Sequence, residues 1–365
     1  MSNRAPIKSV DAFAYTIPTQ EPESDGTLEW HATTMIYVEI RAGGQTGIGY
    51  TYAHACTAAL VRDLLAGVLT GKDALQTGAR YAQMVAAIRN NGREGIASMA
   101  LSALDVALWD LKGKLLGAPA SALLGATRDG APVYGSGGFT SYDQAQLAAH
   151  MARWVGELEI PRVKMKVGRE PWRDPRRVAA VRESIGPDAQ LFVDADGAYA
   201  PKQAAELARR FAQSGVVWLE EPVYHRDLQG NALVRSLVPV PMEIGNGEYG
   251  CSPATFAQIL AAGAADVLQA DVTRCGGFSG FIAADGLCQS QTRPLSSHGA
   301  PYATLHAALA AKSLRHIEFY YDHVLIEQRL FDGAAPPKRG VLFADPTRPG
   351  IGLQLRRPDA ERYAA

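Results

Sequence analysis

Little in this chain of 365 residues marks a special environment. It has four cysteines, Cys56, Cys251, Cys275 and Cys288, and no CxxC pair. A disulfide framework would be out of place in a chain this long, so the cysteines point to a reducing cytoplasm. No apolar run reaches the length of a membrane span, and the first residues lack the apolar stretch of a secretion signal. Neither sign of charge dominates: 36 Lys+Arg against 37 Asp+Glu leave a net charge of −1. Without a basic tract or interleaved aromatic and basic residues, the composition argues against a nucleic-acid partner. There is no cysteine/histidine cluster of the kind zinc prefers, and no HxH pair that would suggest a metal-dependent barrel hydrolase. What remains, at 47% hydrophobic and 20% charged, is an ordinary globular composition with room for two domains.

What is present is a rhythm. The stretch RVKMKVG at 162–168 reads as a short strand, Val163, Met165 and Val167 alternating with charge and Gly168 ending it. Alternation puts Lys164 and Lys166 on one face. Two adjacent ammonium groups repel, and partial burial adds to the effect, so the pair is expected to supply a base near neutral pH. Downstream, Asp194, Glu220, Glu248, Asp271, His298 and Glu318 each follow an apolar run. Counted on from Lys166, the successive steps are 28, 26, 28, 23, 27 and 20 residues. A strand, a helix and two short loops need about that length. Each polar residue then sits at the C-terminal end of a successive strand, where barrel enzymes place their chemistry.

The rest of the chain fits around that repeat. Strands are expected at 133–137, 163–167, 191–194, 216–220, 242–244, 267–269, 294–296 and 317–320, with helices such as 201–212 between them. Eight strands in such alternation favour a closed parallel barrel. Ahead of it, strands at 7–15, 33–41 and 46–52 and helical residues 56–125 read as a small α+β unit. Its clearest helix, 97–116, is stopped by Gly117 and Pro119, and Asp105 and Asp110 on it read as solvated or capping. Residues 17–31, polar and carrying Pro18, Pro22 and Gly26, read as a long loop that closes over a site. The tail from His323 is rich in Pro and Gly and is expected to pack back on the first unit through 350–355. The organisation is thus a capping domain over 1–128, a barrel over 129–325 and a returning segment over 326–365.

Asp194, Glu220 and Glu248 would be three carboxylates on neighbouring strand ends, untenable in a cleft without a cation among them. An all-oxygen set suits a hard ion such as Mg²⁺. Alternation lets only one of Glu220 and Glu221 face inward, whereas Asp194 and Asp196 share a face if the strand continues; spacing alone decides neither. Asp271 and His298 make a dyad in which the carboxylate fixes the imidazole tautomer and raises its basicity. Lys166 on the second barrel strand and His298 on the seventh lie across the mouth from each other. Trp30 and His31 of the loop, Tyr52 and His54 after the third strand, and Asp196 and Glu221 are candidates for contacting the substrate.

In this order and spacing, KMK at 164–166, VDADG at 193–197, LEEP at 219–222, GE at 247–248, Asp271 ahead of GG at 276–277, SH at 297–298 and Glu318 resemble the enolase superfamily, in its mandelate racemase/muconate lactonizing branch. The motifs span residues 133–320, and the N-terminal α+β unit matches the capping domain of that family. The resemblance implies an α/β fold, a modified TIM barrel, (β/α)7β, with an N-terminal α+β cap completed by the C-terminal tail. It implies that Asp194, Glu220 and Glu248 bind Mg²⁺, with Glu220 favoured over Glu221. Lys166 and the His298–Asp271 dyad become the acid/base pair, and Lys164 and Glu318 steady the substrate carboxylate. Asp196 departs from the asparagine common in the family and adds negative charge near the metal.

The implied activity is Mg²⁺-dependent abstraction of the α-proton of a hydroxy-carboxylate through an enediolate. Acid-sugar dehydration comes first, one base taking the proton and the other protonating the leaving hydroxyl. Racemisation or epimerisation of a 2-hydroxy acid needs the same pair and is the alternative; a non-catalytic binding protein is the remote one. Cycloisomerisation in this family pairs two lysines, so His298 argues against it. The expected partners are a small carboxylate substrate and further copies of the chain in a homo-oligomer, with no nucleic acid and no membrane.

Overall fold

Apolar alternation in the first fifty residues becomes an antiparallel sheet of β1 (Ile7–Ser24), β2 (Glu29–Ala42) and β3 (Gln45–Tyr52), in that order, in a computed structural model that describes residues 4–365. Ile36, Val38 and Ile40 of β2 share a core with Leu101, Leu104, Leu108 and Leu111 of the helix Ile96–Leu116. That helix lies so close to β3 that a side chain would not fit. A Cβ at Gly49 would fall 2.1 Å from the Ala103 carbonyl oxygen. Gly117, in the left-handed conformation, ends the helix as expected.

Two readings of this region are corrected. Asp105 and Asp110 are fully buried rather than solvated. Asp105 accepts from the backbone N–H (2.9 Å) and hydroxyl (2.8 Å) of Ser279, so it caps the helix Gly277–Ser290 of the other domain. Asp110 accepts from the N–H groups of Ile48 (2.7 Å) and Ile351 (2.8 Å) and pairs with Lys114 at 2.6 Å. Residues 17–31 are mostly strand, not loop: β1 runs on to Ser24, β2 begins at Glu29, and only a short turn separates them. The prolines are absorbed by a register shift between Pro18 and Glu23, which spares the ladder the N–H groups that proline lacks.

Eight parallel strands follow: β4 (Gly130–Gly137), β5 (Arg162–Lys166), β6 (Gln190–Asp194), β7 (Val216–Glu220), β8 (Glu243–Asn246), β9 (Val267–Ala270), β10 (Leu295–Ser297) and β11 (Leu314–Tyr320). β11 pairs with β4 and closes the barrel. The outward set, Val163, Met165, Leu191, Val193 and Leu219 among it, joins the core under the helices. The inward set includes Tyr134, Phe192, Trp218 and His316, whose rings pack together and plug the barrel interior. Two residues further along β6, β7 and β11, the same inward face presents Asp194, Glu220 and Glu318 at the lip.

β11 is followed by a helix, Tyr321–Leu330, at the start of the returning tail. It faces the cap: the Tyr50 hydroxyl donates to Glu327 at 2.6 Å, and Phe331 stacks on Tyr50 at 5.0 Å. The remaining tail adds Val341–Phe343 antiparallel to the start of β4 and then returns to the cap, with Ile351 on Asp110 and Ala365 N–H on the Ala14 carbonyl. Among the described residues, no helix is long and apolar enough to cross a membrane.

Candidate active site

The lip carries a concentration of buried charge. Asp194 and Glu220 close β6 and β7, Glu248 lies just past β8, and one oxygen from each falls within 4.8 Å of the others. All three are buried. The Trp218 indole N–H donates to Glu220 at 3.0 Å, and Arg274 Nη1 donates to Glu248 at 2.9 Å, so the carboxylates are held in orientation from behind. Lys164 Nζ lies 3.0 Å from Asp194 and 2.8 Å from Glu318 and also pairs with Glu220. Lys166 Nζ lies 2.7 Å from Asp194 and 2.9 Å from Asp196.

These contacts set the mutual repulsion of the lysines against facing carboxylates. Burial does lower their affinity for protons, but the facing carboxylates outweigh it and hold both well above the ordinary lysine range. Asp194 is held below the ordinary range: burial would raise it, and Lys164 and Lys166 overcome that. The sequence shows the lysines beside each other; it does not show how many acids meet them.

Alternation also fails at Glu221 and Asp196. Both lie just past a strand end with left-handed backbone, φ 35° and 48°. That kink turns a second carboxyl inward behind each strand-end acid. Burial and the charges of Glu248 and Asp194 raise Glu221, and burial and Asp194 push Asp196 up to about 8. Glu221 Oε1, Asp196 Oδ2 and Glu248 Oε2 are buried without a hydrogen-bond partner. Orphaned acceptors beside a buried oxygen triad fit a hard divalent cation better than they fit an empty interior.

On the opposite side of the lip, His298 Nδ1 lies 2.8 Å from Asp271 Oδ2. The other Asp271 oxygen accepts from the N–H (2.6 Å) and hydroxyl (2.7 Å) of Thr273, which fixes the carboxylate. The second ring nitrogen points at Glu248 (3.3 Å) and Glu318 (3.8 Å). Burial opposes protonation of the imidazole, but Glu248 and Glu318 raise it on balance. Burial would raise Glu318 too, yet Lys164 and His298 hold it below the usual range, and it accepts from Gly299 N–H at 2.7 Å. Arg274, which bonds Glu248 and approaches Asp271 at 3.4 Å, escaped the sequence reading. A basic residue one turn beyond a strand-end acid was the available signal.

The β1–β2 hairpin roofs this floor. Its turn is tied by Asp25, which accepts from the N–H groups of Thr27 (2.6 Å) and Leu28 (2.7 Å), and by Thr140 N–H on the Ser24 carbonyl at 2.8 Å. A Cβ at Gly26 would lie 2.7 Å from the carbonyl oxygen of Val167 and 2.6 Å from that of Ala195, so the turn sits on the ends of β5 and β6. Trp30 donates to Glu23 at 3.1 Å and meets Phe139 edge-on. Tyr52 stacks on His323 at 3.6 Å, with its hydroxyl shielded from solvent. His31 and His54 are exposed, on the far face of β2 and beyond β3, and are not brought to the carboxylates. The sequence reading placed Glu23 among the lid residues that choose the substrate, but missed Tyr320, Asp322 and His323. With Lys166 5% and His298 7% exposed, the roof as it stands is shut.

Comparison with known proteins places this arrangement. Residues 12–125 match the N-terminal domain of the mandelate racemase/muconate lactonizing enzymes, and residues 146–360 match the enolase C-terminal domain-like family. The D-galactarolactone cycloisomerase of Agrobacterium fabrum is 37% identical over 71% of this chain and 69% of its own length. A mandelate racemase/muconate lactonizing enzyme-like protein from Rubrobacter xylanophilus superposes with a TM-score of 0.96 at 49% identity, covering 99% of this chain and all of that one. The L-talarate/galactarate dehydratase of Salmonella typhimurium LT2, solved with Mg and L-lyxarohydroxamate, superposes with a TM-score of 0.90 at 28% identity, covering 100% and 94% of the two chains. A cycloisomerase among these relatives removes the support for excluding that chemistry on the strength of His298.

Proposed function

The chain belongs to the mandelate racemase/muconate lactonizing enzyme family of the enolase superfamily, and on that premise we propose that it dehydrates an acid sugar by abstracting the proton α to its carboxylate. The observation that carries the reading is the convergence of two different proton carriers, buried Lys166 and the Asp271-supported His298, on one oxygen-rich centre. Asp194, Glu220 and Glu248 would hold Mg²⁺. When bound, the ion supplies positive charge against the negative charge that develops on the substrate carboxylate.

Magnitudes decide which parts are needed. A positioned base contributes roughly 10²–10⁴-fold, about 3–5 kcal/mol. Enzymes lower barriers by about 8–23 kcal/mol, so most of the effect must come from stabilising charge. The chain's own contribution to that is Lys164, which supplies a fixed ammonium beside the centre. Glu318, hydrogen-bonded to Gly299 and paired with Lys164, holds that ammonium in place. His298 and Lys166 reach the α-carbon from opposite sides. One removes the proton, and the other protonates the departing β-hydroxyl. Asp271 keeps Nδ1 of His298 protonated, so that Nε2 faces the reaction.

The test is a panel of acid sugars incubated with the Mg²⁺-loaded protein in D₂O, followed by keto-acid detection and by NMR at the α-carbon. Keto acid carrying one deuterium at the carbon that lost its hydroxyl is the expected result. Exchange with inversion and no keto acid would assign racemisation, and a lactone-forming or ring-opening product would assign cycloisomerisation. The absence of both exchange and product from every acid would remove the proton-abstraction reading altogether.

A further inference from the structure

Above the reacting centre, the roof presents acids and, among the described residues, no spare cation. Glu23, on the β1 side of the hairpin, is 2% exposed, and Asp322, just past β11, is 5% exposed. Their partners are neutral donors: the Trp30 indole for Glu23 at 3.1 Å and the Thr33 hydroxyl for Asp322 at 2.5 Å. The two carboxyls sense each other. Burial, and then the charge of Asp322, push Glu23 up to about 9. Tyr320 bridges roof and floor. It follows Glu318 by two residues on the inward face of β11, its ring lies 6.5 Å from that of His298, and Lys166, Glu23, Asp322 and Glu318 all act on its hydroxyl.

The cations nearby are already matched. Lys164 and Lys166 face four carboxylates on the floor, and Arg274 is held by Glu248 and Asp271. Arg169 reaches the Leu28 carbonyl and Glu29 on the exposed side of the hairpin. Arg177 donates to the carbonyls of Lys166 and Phe139.

Resting on the acid-sugar reading above, we propose that the substrate is a monocarboxylic acid sugar whose far end carries a hydroxyl, received by the Glu23–Asp322 pair, and that this pair rejects dicarboxylic sugars. A terminal hydroxyl is a donor, and buried carboxyls whose partners are neutral keep oxygens free to accept from it. A second substrate carboxylate would meet like charge in a buried space with no guanidinium or ammonium to match it. Discrimination of this kind comes from a repulsive element placed against the competitor, and the acid pair is such an element.

The experiment compares a hexonate with the hexarate of the same configuration on the Mg²⁺-loaded protein, by turnover and by calorimetric binding. The expected result is kcat/KM at least about 100-fold higher for the monoacid, with weaker binding of the diacid. In Glu23→Gln the ratio should fall about tenfold, through a lower KM for the diacid and a higher KM for the monoacid. Asp322→Asn should do the same and serves if the first variant folds poorly. Wild-type protein that turns over or binds the diacid as well as the monoacid overturns the proposal while leaving proton abstraction intact. If neither acid reacts, the wider panel decides proton abstraction, and equal binding of the two acids would still overturn discrimination by the roof.

Discussion

The floor of the site and its roof are built by opposite rules. The floor comes from the ends of parallel strands, one or two residues from each, all belonging to one closed sheet. Its side chains are locked by pairing with one another and by partners behind them, such as Trp218 and Arg274. The roof comes from one antiparallel hairpin of another domain, laid over β5 and β6 and held by a handful of contacts. The floor therefore has little freedom to differ without losing the chemistry. The roof can change composition while the barrel stays as it is. On the proposed reading the reaction belongs to the barrel alone, and choice of substrate is shared between the hairpin and the residues just past β11.

That separation can be broken at either piece. The largest effect is expected on the floor: Lys166→Ala and His298→Asn should each lower kcat by about 10²–10⁴-fold on every substrate, and chelation should abolish turnover until Mg²⁺ is returned. Circular dichroism should show an unchanged fold, because lip residues add little to the core. A smaller effect is expected on the roof. Gly26→Val places methyl groups against the Val167 and Ala195 carbonyls and should lift the turn, with a loss in kcat/KM of about tenfold and a nearly constant thermal midpoint. A fall in the midpoint as large as that of a core mutant would mean that the hairpin is structural after all.

The smallest effect sits where cap and barrel touch. Burial pushes Glu327, which accepts from Tyr50, up to about 8. A carboxyl raised in the folded state favours folding below its unfolded value, and that advantage is lost as the pH climbs through the folded value. Stability should therefore decline between about pH 4.5 and 8, and Glu327→Gln should flatten that decline. Denaturant midpoints at pH 5 and pH 8 would check it; a constant difference between the two proteins at both pH values would place the ionisation elsewhere.

The same division governs what could be read in the amino acids. Strand alternation and the regular interval between βα units are local signals, so the barrel, its closure and the triad were legible from residues such as Val163, Met165 and Asp194. The hairpin was not, because Pro18, Pro22 and Gly26 carry the chemistry of a loop, and only pairing with β2 makes a strand of them. Asp105 and Asp110 were misread for a related reason. Their donors, at Ser279 and Ile351, lie far away in sequence and leave no trace near the helix. Glu221 and Asp196 were named as candidates, but their orientation was left open, because a single left-handed residue cancels alternation. The lysines showed their mutual repulsion but not the four acids that reverse it.

Asp110 also sets an order of events. It holds the N–H of Ile48 with one oxygen and that of Ile351 with the other, at the centre of the cap. On the ribosome, residue 48 emerges early, while residue 351 follows every strand of the barrel. A nascent cap thus carries a buried carboxylate with one of its backbone donors not yet synthesised. The barrel can close while the cap waits, and the domain that is translated first is the one that is finished last.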